Sequence, residues 1–192
     1  MSDRTNNASL ADADAIAATR DWIERAVIGL NLCPFAKLPF ARGAIRYRVS
    51  AARCVEQLRA DLHNELSALA SADPLEYETS LLIHPHALED FLDYNDFLGV
   101  AEAMLIEMEL DGIIQIASFH PIYQFAGTPV DAPENNSNRS PFPTLHLLRE
   151  SSIERAVESG IDVDAIPDNN IQRLRLLGNE GWRGLWKNGS AM

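Results

Sequence analysis

The chain is short of positive charge: 16 lysines and arginines face 28 aspartates and glutamates over 192 residues, a formal charge of -12. Non-specific nucleic-acid binding depends on Lys and Arg displacing counterions from phosphates, so this balance argues against it and in favour of a soluble protein that repels polyanions. The one basic cluster, Arg42, Arg46, Arg48 and Arg53, reads as an exposed strand edge. Cysteine is scarce. Cys33 and Cys54 are expected to be free thiols in a reducing compartment, with Cys54 a structural residue inside a helical pattern. No apolar run approaches the roughly 18 residues a membrane span needs, and the opening MSDRTNNASLADADA has no apolar signal segment. A cytoplasmic protein is therefore expected, with neither membrane nor nucleic acid among its partners. Also missing are a P-loop, a GxGxxG fingerprint, a GxSxG elbow and paired CxxC motifs. ATP, NAD and standard serine-hydrolase chemistry lose their usual support.

What is present is the make-up of an ordinary globular domain, 46% hydrophobic and 23% charged. Residues 1–11 read as a disordered lead-in, 12–186 as a single α/β domain and 187–192 as a frayed tail. Ile16, Ile23, Val27 and Leu30 recur at helical spacing to about Gly29. Ala44 to Val49 alternates as a half-exposed strand, and Ser50 is a fair N-cap for a helix through Val55, Leu58, Leu62, Leu66 and Leu69. Thr79 to Ile83 is a buried strand, Leu88 to Met108 a long helix, and Ile113 to Phe119 a third strand. A fourth strand at Thr144 to Leu148 precedes helices from Ser151 to about Gly160 and from near Asp168 to Gly178. Such alternation predicts a layered α/β fold: a mostly parallel sheet of three to four strands with flanking helices and a long Pro-rich loop.

That loop, between Phe119 and Thr144, holds five of the ten prolines and three aromatic residues, so it should be stiff despite lacking periodicity. Its polar residues, Gln124, Asn136, Asn138 and Arg139 above all, suit the carboxylate or phosphate of a small anionic ligand, with Gly127 allowing close backbone approach. The same Asn and Ser residues could instead simply close turns.

Both central strands end in His-Pro, at His84-Pro85 and His120-Pro121. In a parallel sheet both imidazoles lie at the carboxyl edge, where open α/β sheets bind ligands. His120 is the candidate acid or base, and His84 with His120 and Glu134 forms a speculative divalent-metal set that Asp131 or His86 could complete. His63 and His146 read as structural. Cys33, in NLCPFA, is the candidate nucleophile for a Cys-His pair, although the topology places it near the opposite edge of the sheet, where it reads more simply as a small buried residue.

The blocks GLNLCPFAK (Gly29 to Lys37), FHPIYQFAGT (Phe119 to Thr128) and NNSNRSPFPTLHLLRE (Asn135 to Glu150) resemble an uncharacterised, mostly bacterial family known as domain-of-unknown-function family 1415. The resemblance implies a cytoplasmic bacterial protein of about this size and carries no substrate, cofactor or catalytic residue with it. Three functional expectations stand side by side. The first is a small-molecule hydrolase or group transferase acting on an anionic substrate at the carboxyl edge under the 119–143 loop. The others are a metal-binding protein, and a non-catalytic module using the loop and the Trp182 to Trp186 tail as a contact surface.

Overall fold

A computed structural model describes residues 2–158 and 160–185. Helix α1, Ser2–Trp22, begins ten residues before the expected boundary at Asp12 and runs on as a π-helix, Ile23–Ile28. The expected tail, 187–192, lies outside the described residues. After a turn comes α2, Lys37–Arg42, a short helix in a stretch without clear periodicity. The rest follows in order: β1 (Ile45–Val49), α3 (Val55–Ser71), β2 (Thr79–Ile83), α4 (Phe91–Glu107), β3 (Ile114–Phe119), β4 (Thr144–Arg149), α5 (Glu150–Glu158) and α6 (Ile166–Arg183). Gly178, at φ 66°, breaks α6 internally. No described helix is long and apolar enough to cross a membrane.

The sheet order is β1-β2-β4-β3, and here the expectation of a mostly parallel sheet is corrected. Only β1 and β2 pair in parallel; β4 runs antiparallel to both β2 and β3. The 119–143 loop turns the chain back at the end of β3, and β4 then inserts between β3 and β2. Because β4 opposes both neighbours, β1, β2 and β3 still point the same way. Ile83 and Phe119 both pair with Thr144, so the residues that follow them, His84 and His120, share one edge. The shared edge survives although the sheet is mixed.

Alternation along the strands separates two cores. On one face Leu82, Ile114, Leu145 and Leu147 meet Leu58, Leu62, Leu66 and Leu69 of α3 and Tyr94, Phe97 and Ala101 of α4. Each of the four α3 leucines is fully buried, a contribution of about 2 kcal/mol apiece by area removed from water. On the other face Leu81, Ile83, Ile45 and Phe119 meet Trp22, Ile23 and Val27 from the first helix and Leu174 and Trp182 from α6. Trp182 is thus a core residue, and Trp186 lies outside the described residues. α3 starts at Val55 with Cys54 at its N-cap; Ser50 instead bonds Asp61 across the helix and accepts from the Ala52 N–H.

Candidate functional site

At the carboxyl edge the imidazoles are enclosed. His84 is 0% and His120 1% exposed, and the Tyr94 ring lies 5.8 Å from the first and 5.1 Å from the second. His84 donates from Nδ1 to the Ala87 carbonyl, which leaves Nε2 as a buried acceptor without a partner among the described residues. Burial pulls the His84 pKa down to about 4, and burial lowers His120 as well. His120 has both nitrogens engaged: Nε2 faces the Leu88 carbonyl at 3.2 Å and Nδ1 accepts from the Ile122 N–H at 3.3 Å. Tyr94 ties the ends of β3 and β4 together, donating to the Thr144 carbonyl and accepting from the Phe119 N–H. This edge is packed like a core.

The Pro-rich loop is internally bonded. Arg139 donates from Nε to the Tyr123 carbonyl, from one terminal nitrogen to Asn136 Oδ1 and from the other to the Val130 carbonyl. Asn138 holds the Ser118 carbonyl, Asn136 the Asn179 side chain of α6, and Gln124 the Thr128 carbonyl. Asn135, wholly buried within a 3-10 turn at Pro133–Asn138, accepts from Phe125 N–H and Thr128 Oγ1 while donating to Pro129. These polar groups close turns, and Arg139 does so with no ion pair among the described residues, so it loses proton affinity through burial.

Glu134 points away from the histidines, paired to Arg175 of α6 at 2.7 Å. His86 and Asp131 are exposed, and no three His, Cys, Asp or Glu side chains among the described residues lie where they could hold a metal ion together. The set His84, His120 and Glu134 is not assembled.

The other sheet face is different. A cavity of about 580 Å³ opens there, walled by Trp22, Ile23, Val27, Leu81, Phe119 and Leu148 and closed from the side of α5 by Ile153. This is an adequate size for a small organic ligand. Cys33 and His146 both line it. His120 does not, because successive residues of a strand point to opposite faces: Phe119 enters the cavity and His120 turns toward α4. Cys33 thus shares its space with the histidine that the sequence pattern marks as structural. His146 is visible in hindsight as the polar residue among leucines in TLHLLR, on the alternate face from Leu145 and Leu147.

Local structure explains how Cys33 arrives there. The π-helix widens the end of the first helix, a distortion found often at functional sites, and it admits no side chain at Gly29, where a Cβ would lie 2.1 Å from the Arg25 carbonyl oxygen. Asn31, at φ 51°, then turns the chain. α6 pins that turn: Asn170 donates to the Leu32 carbonyl and Arg173 to the Asn31 carbonyl. Backbone amides of Phe35 and Ala36 face the Cys33 sulfur and favour the thiolate, but burial outweighs them and raises the pKa. Cys33 is half-buried and free; Cys54 is exposed and free.

His146 is fixed on the cavity floor. Its Nε2 lies 2.7 Å from Thr79 Oγ1, and that hydroxyl gives its single proton to the Leu147 carbonyl at 2.6 Å. Nε2 must therefore be the protonated nitrogen, and burial lowers the imidazole pKa to about 4. Arginines gather round the cavity. Arg149 binds the Leu69 and Ala72 carbonyls at the end of α3, Arg155 reaches Glu78 and Ser152, and Arg42 is exposed with no partner among the described residues. Against these three cations Glu78 is the lining carboxylate, in a chain that is acidic overall.

Comparison with curated proteins and with solved structures returned no match. Over residues 14–184 the chain matches the family model described as protein of unknown function, DUF1415, and it belongs to that family.

Proposed function

We propose that this protein is a small-molecule enzyme, a hydrolase or group transferase, acting in the sheet-face cavity on a largely apolar substrate with an anionic head. The cavity carries the proposal: it joins an apolar wall, a thiol, an imidazole and an arginine rim in one space. In this reading the apolar body packs among Trp22, Val27 and Leu81 while Arg42 and Arg155 draw the anionic group. Cys33 attacks an acyl carbon. An S–C bond forms, the bond to the leaving group breaks, the thiol proton passes to that group, and water or an acceptor alcohol then takes the acyl group and restores the thiol. We prefer this site to the carboxyl edge because His120 and Arg139 already use their polar atoms on the protein itself.

The test uses a Cys54→Ser background, so that Cys33 is the remaining thiol. Incubation with mono-4-nitrophenyl esters of aliphatic dicarboxylic acids should release nitrophenol and leave a transient acyl mass on Cys33, both lost in Cys33→Ala. Release that persists in Cys33→Ala removes the thiol from the mechanism. A specific observation supports a second reading, a binding module without chemistry: burial favours the neutral form of both the thiol and the imidazole that line the cavity. That reading predicts that suberate slows alkylation of Cys33 by iodoacetamide while no ester acylates it.

A further inference from the structure

We infer that the ligand of this cavity carries a hydrogen-bond donor, a hydroxyl or a ring N–H, that seats against Nδ1 of His146. The inference rests on the cavity reading above and narrows its substrate class. Its origin is the hydroxyl of Thr79. Thr79 Oγ1 has one proton and directs it to the Leu147 carbonyl, so the 2.7 Å contact with His146 requires the imidazole to donate from Nε2. The remaining nitrogen, Nδ1, is then a lone pair without a proton. It has no protein partner and is not sealed from solvent among the described residues, in a side chain that lines the cavity.

The surroundings make this lone pair selective. The neighbouring wall is Leu81, Phe119, Leu148 and Trp22, none of which offers a competing acceptor. An acceptor left unmatched under an apolar ligand costs free energy, so a ligand that brings a donor is favoured over one that brings a methyl group or another acceptor. Burial keeps the imidazole neutral through the physiological range, which preserves the acceptor. The rim adds the second criterion, since Arg42 has no partner among the described residues and Arg155 donates to both Glu78 and Ser152 at its edge. The ligand class that meets both is an amphipathic acid with an internal hydroxyl or ring N–H, its acid group outward and its donor inward. Thr79 acts as a positioning residue, because it chooses the tautomer.

Six probe acids test this on the full chain by calorimetry: indole-3-acetate, indole-3-propionate and indole-3-butyrate, each with its 1-methyl counterpart. The three lengths vary the reach from rim to floor. For the best-fitting length the N–H acid should bind about tenfold more tightly than its methylated partner, the effect of one satisfied acceptor. His146→Leu should bring that ratio to one or below, and Thr79→Val, which frees the imidazole to carry its proton on either nitrogen, should reduce it to under threefold. Equal affinities in the wild-type protein, or a preference that survives His146→Leu, would overturn the inference and leave the cavity reading standing. If His146→Leu does not fold, an undiminished preference in Thr79→Val overturns it. Failure of all six acids to bind overturns this inference and the cavity reading together.

Discussion

The two histidines at the carboxyl edge and the one on the sheet face all sit within or directly after a β-strand, and they live in opposite conditions. His84 and His120 are enclosed by Tyr94 and Phe91 and bond only to backbone, and the one nitrogen left over, His84 Nε2, is buried out of a ligand's reach. His146 faces an open cavity and keeps one nitrogen for a visitor. Position in the fold therefore separates an imidazole that stabilises from one that can recognise. The general rule that ligands gather beyond the carboxyl ends of strands assumes an uncovered edge. Here α4 and the bonded loop cover it, and a ligand-sized space lies instead on the face between the first helix and α5.

The comparison breaks most readily under acid. The folded pKa of His84, about 4, lies below its ordinary value of 6.5, so the folded state resists a proton that the unfolded chain accepts. Its neutral form costs nothing above pH 6.5, and stability is lost as pH falls from 6.5 to about 4, by about 3 kcal/mol at most for this residue. Urea midpoints should be level from pH 8 to 7 and decline steadily below 6.5, with His120 and His146 adding to the loss in the same direction, and the decline should shrink in His84→Gln; an undiminished decline in that variant would show that the edge is not sealed. Tyr94→Phe comes next, at about 2 kcal/mol, because it strips the Thr144 carbonyl and the Phe119 N–H of their shared partner. Equal urea stability of the two proteins would contradict that bridging role.

Gly29→Ala sharpens the other side of the comparison. A new Cβ must displace the Arg25 carbonyl, at a cost of about 1–2 kcal/mol, and the shifted turn should alter Cys33 alkylation well beyond any change at Cys54. Unchanged Cys33 kinetics would disconnect the π-helix from the site. Cys33→Ser, in a half-buried position, should move stability by less than about 1 kcal/mol, in contrast to Tyr94→Phe; a larger loss on urea unfolding would make Cys33 a packing residue. The smallest effect is expected from Arg42→Ala, which should leave folding unchanged and weaken an anionic probe such as indole-3-propionate severalfold.

Much of the architecture is legible in the sequence because strands and long helices announce themselves by period. β2 and β4 emerge within one residue of their expected ends, and the leucine row of α3 is the row that packs on the sheet. Strand order is not legible, since nothing in TLHLLR says between which neighbours it inserts. The shared edge of His84 and His120 could be anticipated because strand direction alone sets it. What misleads is exposure: a His-Pro end reads as a loop residue, and only the packing of α4 reveals that it is interior. Cys33 carried its signal in the Gly29 to Lys37 block, whereas its cavity-mate His146 depended on a cross-strand register that no local pattern encodes.

The insertion of β4 also orders events during synthesis. Until residues 144–149 leave the ribosome, β2 and β3 have both been made and each shows an unpaired edge on the side meant for the same missing strand. Such edges are templates for pairing with other chains, so the nascent protein passes through its most aggregation-prone stage with three quarters of its length already made. A chain ended at residue 143 should accordingly aggregate, while the full chain stays monodisperse at the same concentration.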